Sequence, residues 1–139
     1  MMNSDPIVLL VEDNEDDVLF LRRASRKAGL NTAFETVYDG VEAIEFLRGG
    51  ARRPTHVLLD LKLPRKSGLE VLEWIRGEQA FKALPVIVLT SSQETSDIER
   101  ARALVVDEYF VKPVSLPELV DLVRRIAEIW SLSLTPAAS

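Results

Sequence analysis

Carboxylates, a hydroxyl and an ammonium stand at the ends of short apolar runs, where a core-forming segment has no use for them. Glu12 and Asp13 follow IVLLV (residues 7–11), and Asp60 ends HVLLD (56–60). Thr90 ends PVIVLT (85–90), and Lys112 follows EYFV (108–111), just before Pro113. Taken alone, an Asp at a strand end is more often a turn former or helix cap. Four such positions together invite a chemical reading. Three carboxyl groups gathered within several ångström resist ionising unless a cation joins them. A hard divalent ion with oxygen ligands answers this, and Mg²⁺ suits best because it takes one or two carboxylates and keeps sites for water and phosphate oxygens. With a hydroxyl and an ammonium on the same rim, the set would perform phosphoryl transfer onto an aspartate nucleophile. Ser91, next to Thr90, is small enough to let a phosphoryl group approach.

The elements that must position these groups alternate between short apolar runs and amphipathic stretches, which predicts parallel strands joined by crossover helices. Strands are expected at 7–11, 33–37, 56–60, 85–90 and 108–111. Helices are expected over NEDDVLFLRRASRKAGL, GVEAIEFLRGG, SGLEVLEWIRG, TSDIERARALVV and SLPELVDLVRRIAEIW. The fold class is therefore α/β: a doubly wound parallel sheet of order 2-1-3-4-5 with helices on both faces. AFETV alternates in polarity and belongs at an edge. In that order the chain reverses direction between strands 1 and 3, opening a crevice at their carboxyl ends. The candidate residues should meet there.

With 17 basic and 22 acidic side chains, the formal charge of −5 provides no general field for nucleic acid or an anionic membrane. The absence of cysteine removes disulfides, thiolate metal sites and thiol nucleophiles, and a single histidine, His56, removes His-rich metal centres. A five-residue apolar run near the start is too short for a signal peptide or a membrane span, so a cytoplasmic protein is expected. The 139 residues read as one domain, with a core over about 7–130 and a loosely ordered tail at 131–139.

The motifs VEDN, LLDLKLPRKSGLEVL, VLTSS and YFVKPV resemble the receiver domain of bacterial two-component response regulators, a likeness running from about Ile7 to Trp130. That resemblance implies the flavodoxin-like receiver fold and a phosphoacceptor signalling protein rather than a conventional enzyme. It implies that Asp60 takes a phosphoryl group from a histidine kinase or a His phosphotransfer protein. Mg²⁺ would be bound by Asp13, Asp60 and the backbone carbonyl of Lys62, with Glu12 acting through a metal-bound water. Thr90 and Tyr109 would form the switch, and the Lys112–Pro113 bond would be cis. The tail IAEIWSLSLTP also resembles small phytochrome-associated response regulators. This narrower likeness implies a phytochrome-type kinase and a homodimer built through helix 4, strand 5, helix 5 and the C-terminal region.

Two departures stand out. Many receivers carry Gly-Ala before strand 5, where this chain has Val105 and Val106, so the exit of helix 4 must differ. Lys62 and Ser92 occupy positions that tune acyl-phosphate hydrolysis in the family. Competing functions fit less well. An Asp-nucleophile, Mg²⁺-dependent phosphatase would need a second Asp where Lys62 stands, and no glycine-rich GK[ST] loop follows strand 1. A receiver-shaped interaction module that never takes phosphate would fold normally yet fail to react with acetyl phosphate. His56 and Trp74 read as structural, Arg22, Arg23, Arg26 and Lys27 as the solvated side of helix 1, and Leu122 and Ile129 as apolar surface beyond the inner stripe of the last helix.

Overall fold

The computed structural model describes residues 5–135. Five apolar runs become β1 (Ile7–Val11), β2 (Ala33–Val37), β3 (His56–Leu59), β4 (Val86–Thr90) and β5 (Glu108–Val111). All neighbouring pairs are parallel and the order is β2-β1-β3-β4-β5, as the pattern of runs predicts. Between them lie α1 (Glu15–Ala28), α2 (Gly40–Gly49), α3 (Gly68–Gly77), α4 (Thr95–Ala103) and α5 (Leu116–Trp130).

The period-two alternation of each strand sorts its residues between two cores. Val8, Leu10, Leu58, Ile87 and Leu89 face α1 and α5, meeting Leu21, Val123 and Ile126. Leu9, Val11, Val57, Leu59 and Val86 face the other helices, meeting Leu47, Leu72, Ile75 and Ala101. Each fully buried Leu or Ile contributes about 2 kcal/mol, so the sheet centre is the most strongly fixed part of the fold. The same packing sets register: Val11 lies opposite Leu59, so the residues just beyond them, Glu12 and Asp60, leave the sheet side by side. Helix starts are well capped, by Asn14 for α1, Asp39 for α2, the reciprocal Ser67–Glu70 pair for α3 and Ser115 for α5.

Three expectations are corrected. The described part of the tail is not loose. Ser131 turns in the left-handed region, letting the Leu132 N–H return to the Ala127 carbonyl at 2.8 Å, and this reversal buries Leu132. Leu134 then bridges Leu30, and the Thr135 N–H donates to the Gly29 carbonyl at 2.7 Å. Residues 136–139 of the predicted tail lie outside the described residues. Second, α4 ends at Ala103 rather than running through Val106, because Val105 adopts φ 59°. Third, no cis peptide bond occurs among the described residues, so Lys112–Pro113 is trans. The trans form is the intrinsically favoured one, and the long lysine side chain reaches the site without the cis geometry.

His56 and Trp130 pack as structural residues at the amino-terminal end of the sheet. Their rings lie 4.6 Å apart, and the Trp130 Nε1–H donates to Asp107 at 2.8 Å. Trp74 is half-buried against Phe81. Leu122 and Ile129 are half-buried on the α1–α5 core. No helix among the described residues is long and apolar enough to cross a membrane.

Candidate functional site: an acidic crevice closed by a lysine

The crevice forms where β1 and β3 end. Asp60 stands one residue past β3, its N–H donating to the Val11 carbonyl at 3.0 Å, and the Glu12 N–H donates to the Val37 carbonyl at 3.1 Å. Both acids are thus fixed by the sheet ladder itself. Asp13 follows Glu12 and is exposed. Ligand oxygens of Glu12, Asp13 and Asp60 lie within 4.8 Å of one another. Helix α3 closes tightly beneath: a Cβ on Gly68 would lie 2.2 Å from the Asp60 carbonyl oxygen, so only glycine fits there.

Lys112 reaches the crevice from the end of β5, its backbone N–H donating to the Thr90 carbonyl at 2.8 Å. Its ammonium contacts Glu12 at 2.7 Å, Asp60 at 2.9 Å and also Asp17 at 2.7 Å. The second oxygens of the two buried acids take backbone donors, Asn14 N–H on Glu12 at 3.1 Å and Lys62 N–H on Asp60 at 3.2 Å. Burial pushes the Glu12 carboxyl up to about 7 despite its bond from Lys112, with the charge of Asp60 pushing the same way. Burial pulls the Lys112 ammonium down, but its bonds to Asp17, Glu12 and Asp60 outweigh that and raise its pKa above the ordinary lysine range. The ammonium therefore stays charged while Glu12 is poised near neutrality.

Thr90 is fully buried at the end of β4, and its hydroxyl accepts a long 3.4 Å bond from the Ser92 N–H. Ser91 is exposed beside it. Tyr109 points inward, buried, with its hydroxyl donating to the Ser92 carbonyl at 2.9 Å. Ser92 in turn donates to Asp97 of α4 at 2.6 Å. Lys62 has an exposed side chain, so its link to Asp60 is through backbone alone.

The structure therefore brings Glu12, Asp13, Asp60 and Lys112 into one crevice, with Thr90 and Ser91 at the end of the neighbouring β4 and Tyr109 within β5, opposite Val88. Sequence reasoning missed two contributors. An acid in the first turn of α1 needs no explanation beyond the helix dipole, which hides Asp17, although its spacing four residues before buried Leu21 places it on the inward face. Arg65, at φ 67°, makes two hydrogen bonds to the buried Asp39 and pins the loop after Asp60 to the start of α2.

Comparison with known proteins agrees with this geometry. Residues 8–124 match the family described as the response regulator receiver domain. The chain belongs to the receiver-domain family. This receiver domain is 40% identical over 131 residues to a probable methanogenesis regulatory protein, FilR2, of Methanothrix harundinacea, covering 91% of this chain and 84% of that one. It is 33% identical to the response regulator Rcp1 of Synechocystis, covering 98% and 97%. A Mn²⁺-bound structure of Rcp1 superposes with a TM-score of 0.83 over 96% of this chain and 99% of that one, at 32% identity. The phosphorylated cyanobacterial phytochrome response regulator RcpA superposes with a TM-score of 0.84 at 35% identity, covering 96% of this receiver and all of that chain. As a receiver, the chain belongs to a family of phosphoacceptor signalling proteins rather than conventional enzymes, and receivers bind divalent metal.

Proposed function

We propose that this receiver accepts a phosphoryl group on Asp60 from the phosphohistidine of a histidine kinase, directly or through a His phosphotransfer protein. A carboxylate oxygen of Asp60 attacks phosphorus and the P–N bond breaks, its electron pair remaining on the imidazole nitrogen. The observation that carries this reading is the Lys112 ammonium held 2.9 Å from Asp60 and 2.7 Å from Glu12, with Asp13 completing the acidic set.

The oxygen-only donor set fits Mg²⁺, with Asp13, Asp60 and the Lys62 carbonyl as ligands and Glu12 acting through water. When bound, that ion supplies positive charge opposite the phosphoryl oxygens. Lys112 supplies a fixed positive charge, the Thr90 hydroxyl a hydrogen bond to a phosphoryl oxygen, and Ser91 leaves room for the group to approach. Movement of Thr90 toward the phosphoryl group would carry Ser92 with it, and both the Tyr109 hydroxyl and Asp97 hold Ser92. The output is a changed face of α4, β5 and α5, which also serves as the homodimer contact; exposed Val111 at the edge of β5 supports an interface there. A phytochrome-type kinase is the proposed donor, supported by the likeness to RcpA. The chain acts as one cytoplasmic receiver unit.

Asp60→Asn tests the reading. Labelling from a phosphorylated kinase should vanish while the circular dichroism spectrum and unfolding midpoint stay native; a variant that still takes label moves the acceptor elsewhere.

A further inference from the structure

Phosphorylation of Asp60 and the binding of a cation would between them alter two of the three partners that hold Lys112. An ammonium has three N–H donors. In this structure they point at Glu12 Oε1, Asp17 Oδ2 and Asp60 Oδ2, at 2.7, 2.7 and 2.9 Å. A cavity of about 30 Å³, lined by Glu12, Asp17, Asp60 and Lys112 together with apolar side chains such as Phe20 and Leu119, leaves room beside the ammonium. The ammonium's place is therefore set by its ionic partners. When Asp60 gains its O–P bond, the donor aimed at its oxygen must turn to a phosphoryl oxygen. Glu12 faces the cation through water in the same reading. Asp17 is the one partner that neither event touches.

We propose that Asp17 is the positioning residue of this site, tethering Lys112 so that its ammonium stays within reach of the phosphoryl oxygens throughout transfer. The inference rests on the phosphoacceptor reading above. Asp17 suits the role because its own position is set by the cap of α1, its N–H donating to Asn14 Oδ1 at 3.1 Å. It lies 95 residues from Lys112 in sequence, so the pair also straps the start of α1 to the junction of β5 and α5. Asp17 touches neither the reacting atoms nor the acidic cluster's ligand oxygens, and it acts through the lysine alone.

The sign of the effect separates this role from simple electrostatics. Removing a negative charge beside the crevice would by itself favour capture of an anionic phosphodonor and speed the reaction. Loss of the tether slows it. With acetyl phosphate and Mg²⁺, followed by intact-mass spectrometry, Asp17→Asn should lower the saturating phosphorylation rate about tenfold while the half-saturating donor concentration stays equal or falls. Asp17→Glu, which keeps the charge and can reach the ammonium, should recover at least half of that loss. A ¹⁵N spectrum of the lysine ammonium should show a protected Lys112 signal in the wild type that broadens or vanishes in Asp17→Asn. An Asn variant as fast as the wild type, or a Glu variant as slow as the Asn variant, overturns the tether. A wild type that never gains phosphate defeats the phosphoacceptor reading instead. The ammonium spectrum then decides alone, and an unchanged Lys112 signal in Asp17→Asn refutes the positioning role.

Discussion

Arg76 donates to backbone carbonyls of two loops and offers a quantitative test of how the exit of α4 is held. From the last turn of α3, its Nε donates to the Leu104 carbonyl at 2.7 Å, its Nη1 to Leu84 at 2.8 Å and Lys82 at 3.2 Å, and its Nη2 to Val105 at 3.0 Å. One guanidinium thus satisfies four backbone carbonyls from two loops, and it is half-buried in doing so. These contacts hold Val105 at φ 59°, a left-handed conformation that strains a β-branched residue by roughly 1–3 kcal/mol. Three contacts have good charge-assisted geometry and the 3.2 Å one is weak. At a net worth of about 1 kcal/mol each after water replaces the lost donors, Arg76→Ala should cost about 3 kcal/mol. With unfolding entropy near 2.1 cal/mol/K per residue, that corresponds to a fall in Tm of about 10 °C for a chain of this length. Urea unfolding followed by tryptophan fluorescence measures it, and the denaturant slope should be unchanged. Arg76→Lys should recover less than half, because an ammonium cannot span both loops. Val105→Asn, at a side chain 71% exposed, should stabilise by about 0.5–1 kcal/mol by relieving the strain. A loss below about 1 kcal/mol in Arg76→Ala, or a destabilised Val105→Asn, refutes the reasoning.

Glu12 sets a pH dependence in the presence of chelator. Its folded-state pKa is raised from 4.5 to about 7, so its contribution to stability is full below 4.5 and is lost as pH rises through about 7; Glu12→Gln should flatten the fall in unfolding free energy between those values, and an unchanged slope contradicts the assignment. Trp130→Phe keeps a ring against His56 but loses the 2.8 Å bond to Asp107, and should cost about 1–2 kcal/mol in urea titration; a variant of wild-type stability shows that the indole N–H contributes nothing.

What was legible in the sequence follows from what each residue answers to. The five strands could be read because a doubly covered strand must be apolar on both faces, and IVLLV and VIVLT have no other explanation. Glu12, Asp60, Thr90 and Lys112 could be read because polar groups ending such runs break the pattern. Asp17 breaks none: an acid in the first turn of a helix is explained by the dipole alone, and its partner lies 95 residues away. Arg76 is hidden for a different reason. Its acceptors are backbone carbonyls at positions 82, 84, 104 and 105, and every residue type has such a carbonyl. The order of the tail was missed because its anchors, the carbonyls of Ala127 and Gly29, are equally anonymous.

Lys112 and Arg76 solve the same physical problem at two levels of the sheet, each supplying several donors to oxygens that the fold has gathered away from water. They differ in what their partners can become. The acceptors around Arg76 are neutral carbonyls, whose charge no event in the crevice alters, and they hold the exit of α4 at Leu104 and Val105. The acceptors around Lys112 are carboxylates, and one of them is the proposed site of phosphorylation. A change of charge at Asp60 therefore bears directly on the lysine, whose backbone N–H bonds the Thr90 carbonyl; the neighbouring Ser92 is linked to the amino end of α4 through Asp97 and to β5 through Tyr109. With the carboxyl end of α4 held by Arg76 and its amino end linked to Ser92, a displacement of Ser92 should reach the amino end of α4 first.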